Sequence, residues 1–207
     1  GAGEIVVRTD NLDAEVGRVR SKGFTVSEPV VDALDSGGAL ARRSARVEAK
    51  TPIGLVQNQH STEERRAFLG SSPSHSNTAK TLERTYIAVE NMDEDLPAFS
   101  SVFDKTPPDL ELGTVIMSLM SVVDFGWTGG VIAEPQGPGP AHDALESKGV
   151  SAFQMLFRAE SLGEAFSLMI ANDVPAPSKG TRNTGESSIL VPPENACGMY
   201  VGLVGPE

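Results

Sequence analysis

One strand pattern occurs twice in this chain, in TPIGLVQNQ (residues 51–59) and in CGMYVGLVGPE (residues 197–207). In each, Gly-Leu-Val follows a β-branched residue, as is typical of a buried strand. Side chains alternate between the two faces of a strand, so Gly54 and Gly202 each leave one inward position without a side chain. The repetition indicates that the chain is built from related segments.

Three segments of the chain follow one plan. They open with the strands EIVVRT (4–9), RTYIAV (84–89) and QMLFRA (154–159). A segment with apolar residues at helical spacing follows each opening strand, and further strands close each segment. The separation from opening strand to closing strand is similar in all three, so each segment is predicted to be a βαβββ module.

The module boundaries follow from composition. We predict modules over residues 1–60, 82–135 and 150–207, joined by linkers over 61–81 and 136–149. The first linker ends in a Ser-, Pro- and Asn-rich tract, and the second begins with a Pro/Gly turn. Two such modules side by side bury their sheet edges and enclose a cavity, so 82–135 is predicted to pair with 150–207.

Composition and charge narrow the possible partners. The 207 residues include 17 Lys and Arg against 28 Asp and Glu, for a formal net charge of −11. An acidic surface repels phosphate, which argues against nucleic acid as a partner. The single cysteine, Cys197, forms no internal disulfide, which suits a reducing compartment. The sequence contains no membrane-spanning run and no signal peptide, so a cytoplasmic protein that does not bind membranes is expected.

The repeated module resembles the vicinal oxygen chelate superfamily. The residues that carry this resemblance are LERTYIAVENMDEDL, GVIAEP, GPAHDALESKGVSAFQMLFRAESLGEAF and CGMYVGLV. The look is closest to the methylmalonyl-CoA epimerases and, for the first module, to glyoxalase-like-domain proteins. The resemblance implies an α+β fold of βαβββ modules that pair into curved half-barrel sheets around a cavity.

The resemblance also implies a metal site, which this sequence does not keep. The family places a histidine in the opening strand and a glutamate in the closing strand of each paired module. Carried over to this chain, the histidine positions are Glu4, Arg84 and Gln154, and the glutamate positions are Gly54, Val131 and Gly202. Arginine and glycine side chains offer no ligand to a divalent metal. We therefore expect neither the family metal nor another cofactor.

Alternation along the strands predicts which side chains face the cavity. Arg84, Gln154 and Tyr200 are the predicted catalytic residues: Arg84 holds an oxyanion, and the other two position the substrate. The predicted substrate-binding residues are Tyr86, Leu156, Trp127 and Glu4. Four of these residues also have a plainer interpretation: Arg84 pairs with an acidic neighbour, Tyr200 packs in the core, Trp127 plugs a hairpin, and Glu4 is a solvated chain end.

Two classes of function fit these residues. The first is a metal-independent lyase, isomerase or cyclase that acts on an oxygenated or aromatic metabolite by proton transfer and oxyanion stabilisation. The alternative is a binding protein that sequesters a hydrophobic small molecule. A metal held by unusual ligands such as Glu4 is a third interpretation. Because three modules cannot all pair within one chain, we also expect a homodimer or a missing N-terminal module.

Overall fold

A computed structural model describes residues 5–32, 41–51, 53–61, 63–64, 67, 78–106, 109–113, 116–124, 128–175, 177–182 and 184–207. The chain divides into two compact units, residues 3–74 and residues 75–207. We call the first unit the single module and the second unit the paired modules. Among the described residues, no helix is both long and apolar enough to cross a membrane.

The single module is one βαβββ module whose second strand is broken. Its sheet has the order β1-β5-β4-β2, and β3 also pairs with β4. Thr25 lies opposite Glu48 and Val30 lies opposite Ser44, so β2 and β3 follow each other along the same neighbour. The elements are β1 (Ile5–Arg8), α1 (Leu12–Ser21), β2 (Thr25–Val26), β3 (Val30–Asp32), β4 (Arg42–Glu48) and β5 (Ile53–Asn58).

Helix α1 follows the apolar spacing of its sequence. Leu12, Val16 and Val19 are buried on one side of the helix, as a helical period of 3.6 requires. The Asn11 side chain accepts a hydrogen bond from the Ala14 backbone N–H at 3.1 Å, which caps the first turn. This confirms the predicted helix.

The paired modules share one eight-stranded sheet. Its order is β11-β12-β13-β10-β6-β9-β8-β7. The strands are β6 (Ala79–Ala88), β7 (Glu111–Gly113), β8 (Ser118–Asp124), β9 (Gly129–Pro135), β10 (Ser151–Ala159), β11 (Ser178–Thr181), β12 (Ser187–Val191) and β13 (Tyr200–Val204). The helices are α2 (Met92–Val102), α3 (Pro140–Lys148) and α4 (Leu162–Ala171), and a single 3₁₀ turn covers Pro193–Asn195.

The two modules meet at their opening strands. Strands β6 and β10 pair antiparallel in the middle of the sheet, with Tyr86 opposite Gln154 and Arg84 opposite Leu156. Each opening strand also pairs in parallel with the closing strand of its own module, β6 with β9 and β10 with β13. The predicted α+β fold of paired modules in a curved half-barrel sheet is confirmed.

The apolar run VIMSLMSVV (115–123), whose composition is typical of a buried strand, contains a turn. The chain turns at Ile116 and Met117 before β8 begins at Ser118. Met117 has a φ of 48°, a left-handed conformation that a strand cannot contain, and it is 46% exposed. The turn is what lets the short strand β7 fold back onto β8.

Candidate functional site

A cavity of ≈ 240 Å³ lies over one face of the eight-stranded sheet. Strands from both of the paired modules form its floor, and the edge strands β7 and β11 contribute to its lining. The lining residues are Arg84, Tyr86, Glu111, Gly113, Ile116, Met120, Gln154, Leu156, Gly180, Thr181, Arg182, Thr184, Ser188, Ile189, Leu190 and Gly202. Small-molecule sites of proteins are usually somewhat larger, about 300 to 1,000 Å³. The cavity therefore suits a small ligand or one end of a larger ligand.

The strand register explains why the central residues of the lining share a face. Leu156 lies opposite Arg84 in β6 and beside Gly202 in β13. Directly paired residues of neighbouring strands point to the same side of a sheet, and so do residues two apart along a strand. Tyr86 and Gln154 therefore belong to the same face as Arg84 and Leu156.

Two glycines create part of the space. A Cβ atom at Gly202 would lie 2.6 Å from the Leu156 Cδ1 and 3.5 Å from the Gln154 Nε2. A Cβ atom at Gly113 would lie 2.6 Å from the Met120 Cε. Real side chains do not approach that closely, so a substitution at either glycine displaces a cavity wall. Gly202, one of the two glycines of the repeated strand pattern, thus leaves space in the cavity floor where a side chain would otherwise lie.

Arg84 brings a positive charge to the cavity. Its side chain is half-buried, and it makes no hydrogen bond or ion pair with any residue that the structure describes. Arg182, the other cation of the lining, is held by two carboxylates: its Nη1 donates to Glu83 Oε1 and to Glu186 Oε2, each at 3.0 Å. The guanidinium group available to an anionic ligand is therefore that of Arg84.

Gln154 brings an unsatisfied amide to the same place. The residue is only 6% exposed, and its Oε1 has no hydrogen-bond partner in the described part of the chain. Buried polar atoms are nearly always hydrogen-bonded, and leaving one unpaired costs about 1–3 kcal/mol. A group in the cavity is what would satisfy this amide.

Tyr200 lies next to Gln154 in the adjacent strand. It packs against the apolar cluster that contains Tyr86 and Leu156, and it is not among the lining residues. Burial raises the pKa of its phenol above 10.0, and the carboxylates of Asp143 and Glu194 raise that pKa further. The phenol is consequently protonated at neutral pH and able to donate a hydrogen bond.

The structure brings together four of the seven predicted site residues. Arg84, Tyr86, Gln154 and Leu156 all line the cavity. Tyr200 lies beside Gln154 in the adjacent strand but is not among the lining residues. The predicted residues Glu4 and Trp127 lie outside the described residues. The roles assigned to all seven from the sequence stay predictions.

Several lining residues had no sequence signal. Arg182 follows the short edge strand β11, and Glu111 lies in the short edge strand β7. Neither strand has an alternating apolar pattern, so sequence alone does not show that they border a cavity. Arg182 is positioned by Glu83, which lies 99 residues away in the chain.

The side chains at the family's metal positions do not fit a divalent metal. In the paired modules these positions carry Arg84, Gln154, Val131 and Gly202. An arginine, an amide, a valine and a glycine give at most one neutral oxygen donor, whereas protein sites for divalent metals supply several ligands, most of them carboxylates, imidazoles or thiolates. Across the described residues, no group of three or more His, Cys, Asp or Glu side chains could hold a metal ion.

The single module has a cavity of its own, of ≈ 330 Å³. It lies over the equivalent face of the five-stranded sheet, because Gly54 pairs with Val6 as Gly202 pairs with Leu156. Its lining residues are Val6, Ser27, Val30, Asp32, Arg42, Ser44, Ala45, Arg46, Gly54 and Val56.

Comparison with solved structures identifies the fold. The chain is similar to methylmalonyl-CoA epimerase from Mycobacterium tuberculosis, with a TM-score of 0.57 and 14% identity over 65% of this chain and 93% of that one. It is also similar to a hypothetical protein from Bacillus halodurans C-125, with a TM-score of 0.54 and 15% identity over 61% of this chain and 94% of that one. A variant of the Streptomyces coelicolor epimerase in complex with 2-nitronate-propionyl-CoA gives a TM-score of 0.52 and 14% identity, over 62% and 95% of the two chains.

These structures have the vicinal oxygen chelate fold, which confirms the predicted resemblance at the level of the fold. The matched share of this chain is close to the share that the paired modules occupy. No family model matches the sequence, and no curated protein matches it either.

Proposed function

We propose that the cavity of the paired modules binds a small organic molecule that carries an anionic oxygen on an apolar frame. The observation that supports this proposal is that Arg84 and Gln154 lie on adjacent strands. Among the described residues, the Arg84 guanidinium has no hydrogen bond or ion pair, and the buried Gln154 Oε1 has no hydrogen-bond partner. The anionic oxygen binds to Arg84, because hydrogen bonds to an ionised partner are the stronger kind. Met120, Ile116 and Leu156 supply the apolar wall.

The amide adds a second requirement. An unpaired carboxamide oxygen accepts a hydrogen bond, so the ligand carries an O–H or N–H group close to its anionic oxygen. A hydroxy acid or an enol acid has this combination. The overall negative charge of the chain opposes anion binding at long range, which makes the local charge of Arg84 decisive.

The test is a calorimetric titration of the intact chain with two matched probes, hexanoate and 2-hydroxyhexanoate. We expect both to bind and the hydroxy acid to bind more tightly. Arg84→Met removes a charged hydrogen bond worth about 1.5–3 kcal/mol, which corresponds to roughly 10- to 150-fold in Kd. Arg8→Met is the control, because it removes the same charge from the single module. Equal binding by the two arginine variants would contradict the proposal.

A second candidate function is catalysis, as a lyase or isomerase without a metal. Glu111 favours it, because it is the one carboxylate among the described lining residues and is the available proton acceptor. Arg84 and Gln154 would then stabilise an enolate oxygen. Methylmalonyl-CoA, which the similar epimerases are named for, serves as the probe.

The experiment follows deuterium from D₂O into C2 of that probe. A rate above the protein-free rate that falls in Glu111→Gln would favour catalysis. If deuterium enters the probe only at the protein-free rate while the hydroxy acid still binds, binding without catalysis is the function of this cavity. Glu134→Gln is a matched control, since Glu134 faces away from the cavity and accepts a hydrogen bond from the Met92 N–H at 2.7 Å.

A further inference from the structure

Arg182 belongs to a cluster of four charged residues at the cavity. Its Nη1 donates to Glu83 Oε1 and to Glu186 Oε2, each at 3.0 Å. Arg158 contacts the same two carboxylates: its Nη1 donates to Glu186 Oε1 at 3.0 Å, and its Nη2 forms an ion pair with Glu83 Oε2. The hydrogen bond from Arg158 lowers the pKa of the Glu186 carboxyl, so this group is ionised at neutral pH. We call these four residues the charge cluster, in which two positive and two negative charges cancel.

A break in strand pairing brings Glu83 into the charge cluster. The register of β6 against β10 shifts between Leu156 and Phe157, which leaves Glu83 as an extra residue of β6. Such a β-bulge re-aims a side chain and is common beside functional sites. The bulge lies next to Arg84 in the chain, so Glu83 holds Arg182 close to the strand that carries Arg84.

The contact between Glu83 and Arg182 also spans the sheet. Arg182 directly follows β11, which is four strands away from β6 in the sheet order. At about 4.8 Å between neighbouring strands, a flat sheet would separate β11 from β6 by about 19 Å. The curled sheet instead brings the two side chains to hydrogen-bond distance. Arg182 and Arg84 therefore line one cavity from strands that are not neighbours.

Arg182 keeps hydrogen-bond donors that the charge cluster does not use. A guanidinium group has five N–H donors, and the contacts with the two carboxylates involve Nη1. The Nε and Nη2 atoms make no hydrogen bond with any residue in the described part of the chain. Neither atom is among the buried atoms that lack a partner, so both are accessible. Because Arg182 lines the cavity, these N–H groups are available to a ligand.

We propose that Arg182 makes the cavity specific for a ligand with a neutral carbonyl oxygen in addition to the anionic oxygen that binds to Arg84. This inference rests on the proposed function of the cavity. The charge cluster gives Arg182 free donors without net charge, which suits a neutral acceptor. A second anionic group at this place would be repelled by the carboxylates of Glu83 and Glu186. The ligand class is therefore an oxo acid rather than a dicarboxylate.

The test compares alkyl acids with oxo acids of the same length by calorimetric titration of the intact chain. The pairs are pentanoate with 4-oxopentanoate, hexanoate with 5-oxohexanoate, and heptanoate with 6-oxoheptanoate, which place the carbonyl at increasing distances from the carboxylate. Arg182→Met removes the free donors. Arg158→Met is the matched control, because it removes the same charge from the same two carboxylates but from a residue that is not among the lining residues.

The readout is the ratio of the Kd of each alkyl acid to the Kd of its oxo acid, because general damage to the cavity affects both members of a pair alike. A net hydrogen bond to a neutral group corresponds to roughly 2- to 10-fold in Kd. We expect the ratio for the best-fitting pair to fall by that factor in Arg182→Met and to keep its wild-type value in Arg158→Met. An unchanged ratio in Arg182→Met for every pair, or an equal fall in both variants, would overturn the proposal.

A measurement on the wild type makes the test independent of how the variants fold. The Nε–H NMR signals of Arg84 and Arg182 are followed as each acid is added. We expect the alkyl acids to shift the Arg84 signal alone and the best-fitting oxo acid to shift both. Oxo acids that shift only the Arg84 signal would refute the role of Arg182 and leave the proposed function standing. If acids of both kinds fail to bind, the proposed function is refuted as well.

Discussion

Replacing Gln154 by methionine is predicted to stabilise the protein while weakening its ligand binding. Methionine has nearly the shape of glutamine and fills the same space without polar atoms. In the free protein the Gln154 Oε1 is buried without a partner, so the substitution removes a desolvation cost of about 1–3 kcal/mol. Most core substitutions do the opposite and destabilise.

The size of the effect is measurable. For a chain of this length, each 1 kcal/mol shifts the midpoint of thermal unfolding by about 2–4 °C. We therefore expect Gln154→Met to raise that midpoint by roughly 2–12 °C and to lower the affinity for the hydroxy acid. Tryptophan fluorescence follows the relevant unit, because the single tryptophan, Trp127, lies in residues 75–207.

The control is Gln136→Met. Gln136 is exposed, and its Nε2 donates to the Glu134 Oε1 at 3.1 Å. Surface changes of this kind alter the free energy of unfolding by less than about 0.5 kcal/mol. A loss of more than about 1 kcal/mol in Gln154→Met would mean that the amide is satisfied within the fold, and the argument for a polar ligand there would fail.

Three further predictions concern the same unit. Gly202→Val forces the Leu156 side chain into the cavity and lowers hexanoate affinity at least tenfold, measured by calorimetry, with the fold retained. Glu83→Gln leaves Arg182 with one carboxylate instead of two and costs about 1–3 kcal/mol in chemical denaturation; an unchanged midpoint would show that this contact is not stabilising. Because the folded-state pKa of Tyr200 is raised above 10.0, its contribution to stability is complete below pH 10.0 and is lost as pH rises through that folded-state pKa. Tyr200→Phe should abolish this alkaline loss, and tyrosinate absorbance should show the higher-titrating phenol disappear.

Strand alternation made the cavity floor predictable. Arg84 and Tyr86 are two apart in β6, and Gln154 and Leu156 are two apart in β10. Once the repeat aligns these two strands, their shared face follows from local geometry alone. The repeated module was predictable for the same reason, because apolar residues recur at regular spacing in each opening strand and in each helix.

The borders of the cavity were less predictable, because they depend on contacts distant in sequence. Strand β11 reads SKGT, and all four of its residues are exposed. It has no apolar pattern of its own and forms by pairing with β12. The turn at Met117 is hidden inside an apolar run that predicts a continuous strand. The strand propensity of individual residues does not show where the chain turns, because the turn is set by pairing with a neighbouring strand.

The repeat relation between β6 and β10 has a consequence for the orientation of what binds. Thr85 lies opposite Met155 in the middle of the sheet, and the equivalent positions next to them carry Arg84 in one module and Gln154 in the other. Two similar modules thus present a cation on one side and a neutral amide on the other. A molecule turned end for end loses its match to both groups, so an elongated ligand is held in one orientation. The divergence of the two modules gives the site a direction that two identical modules would lack.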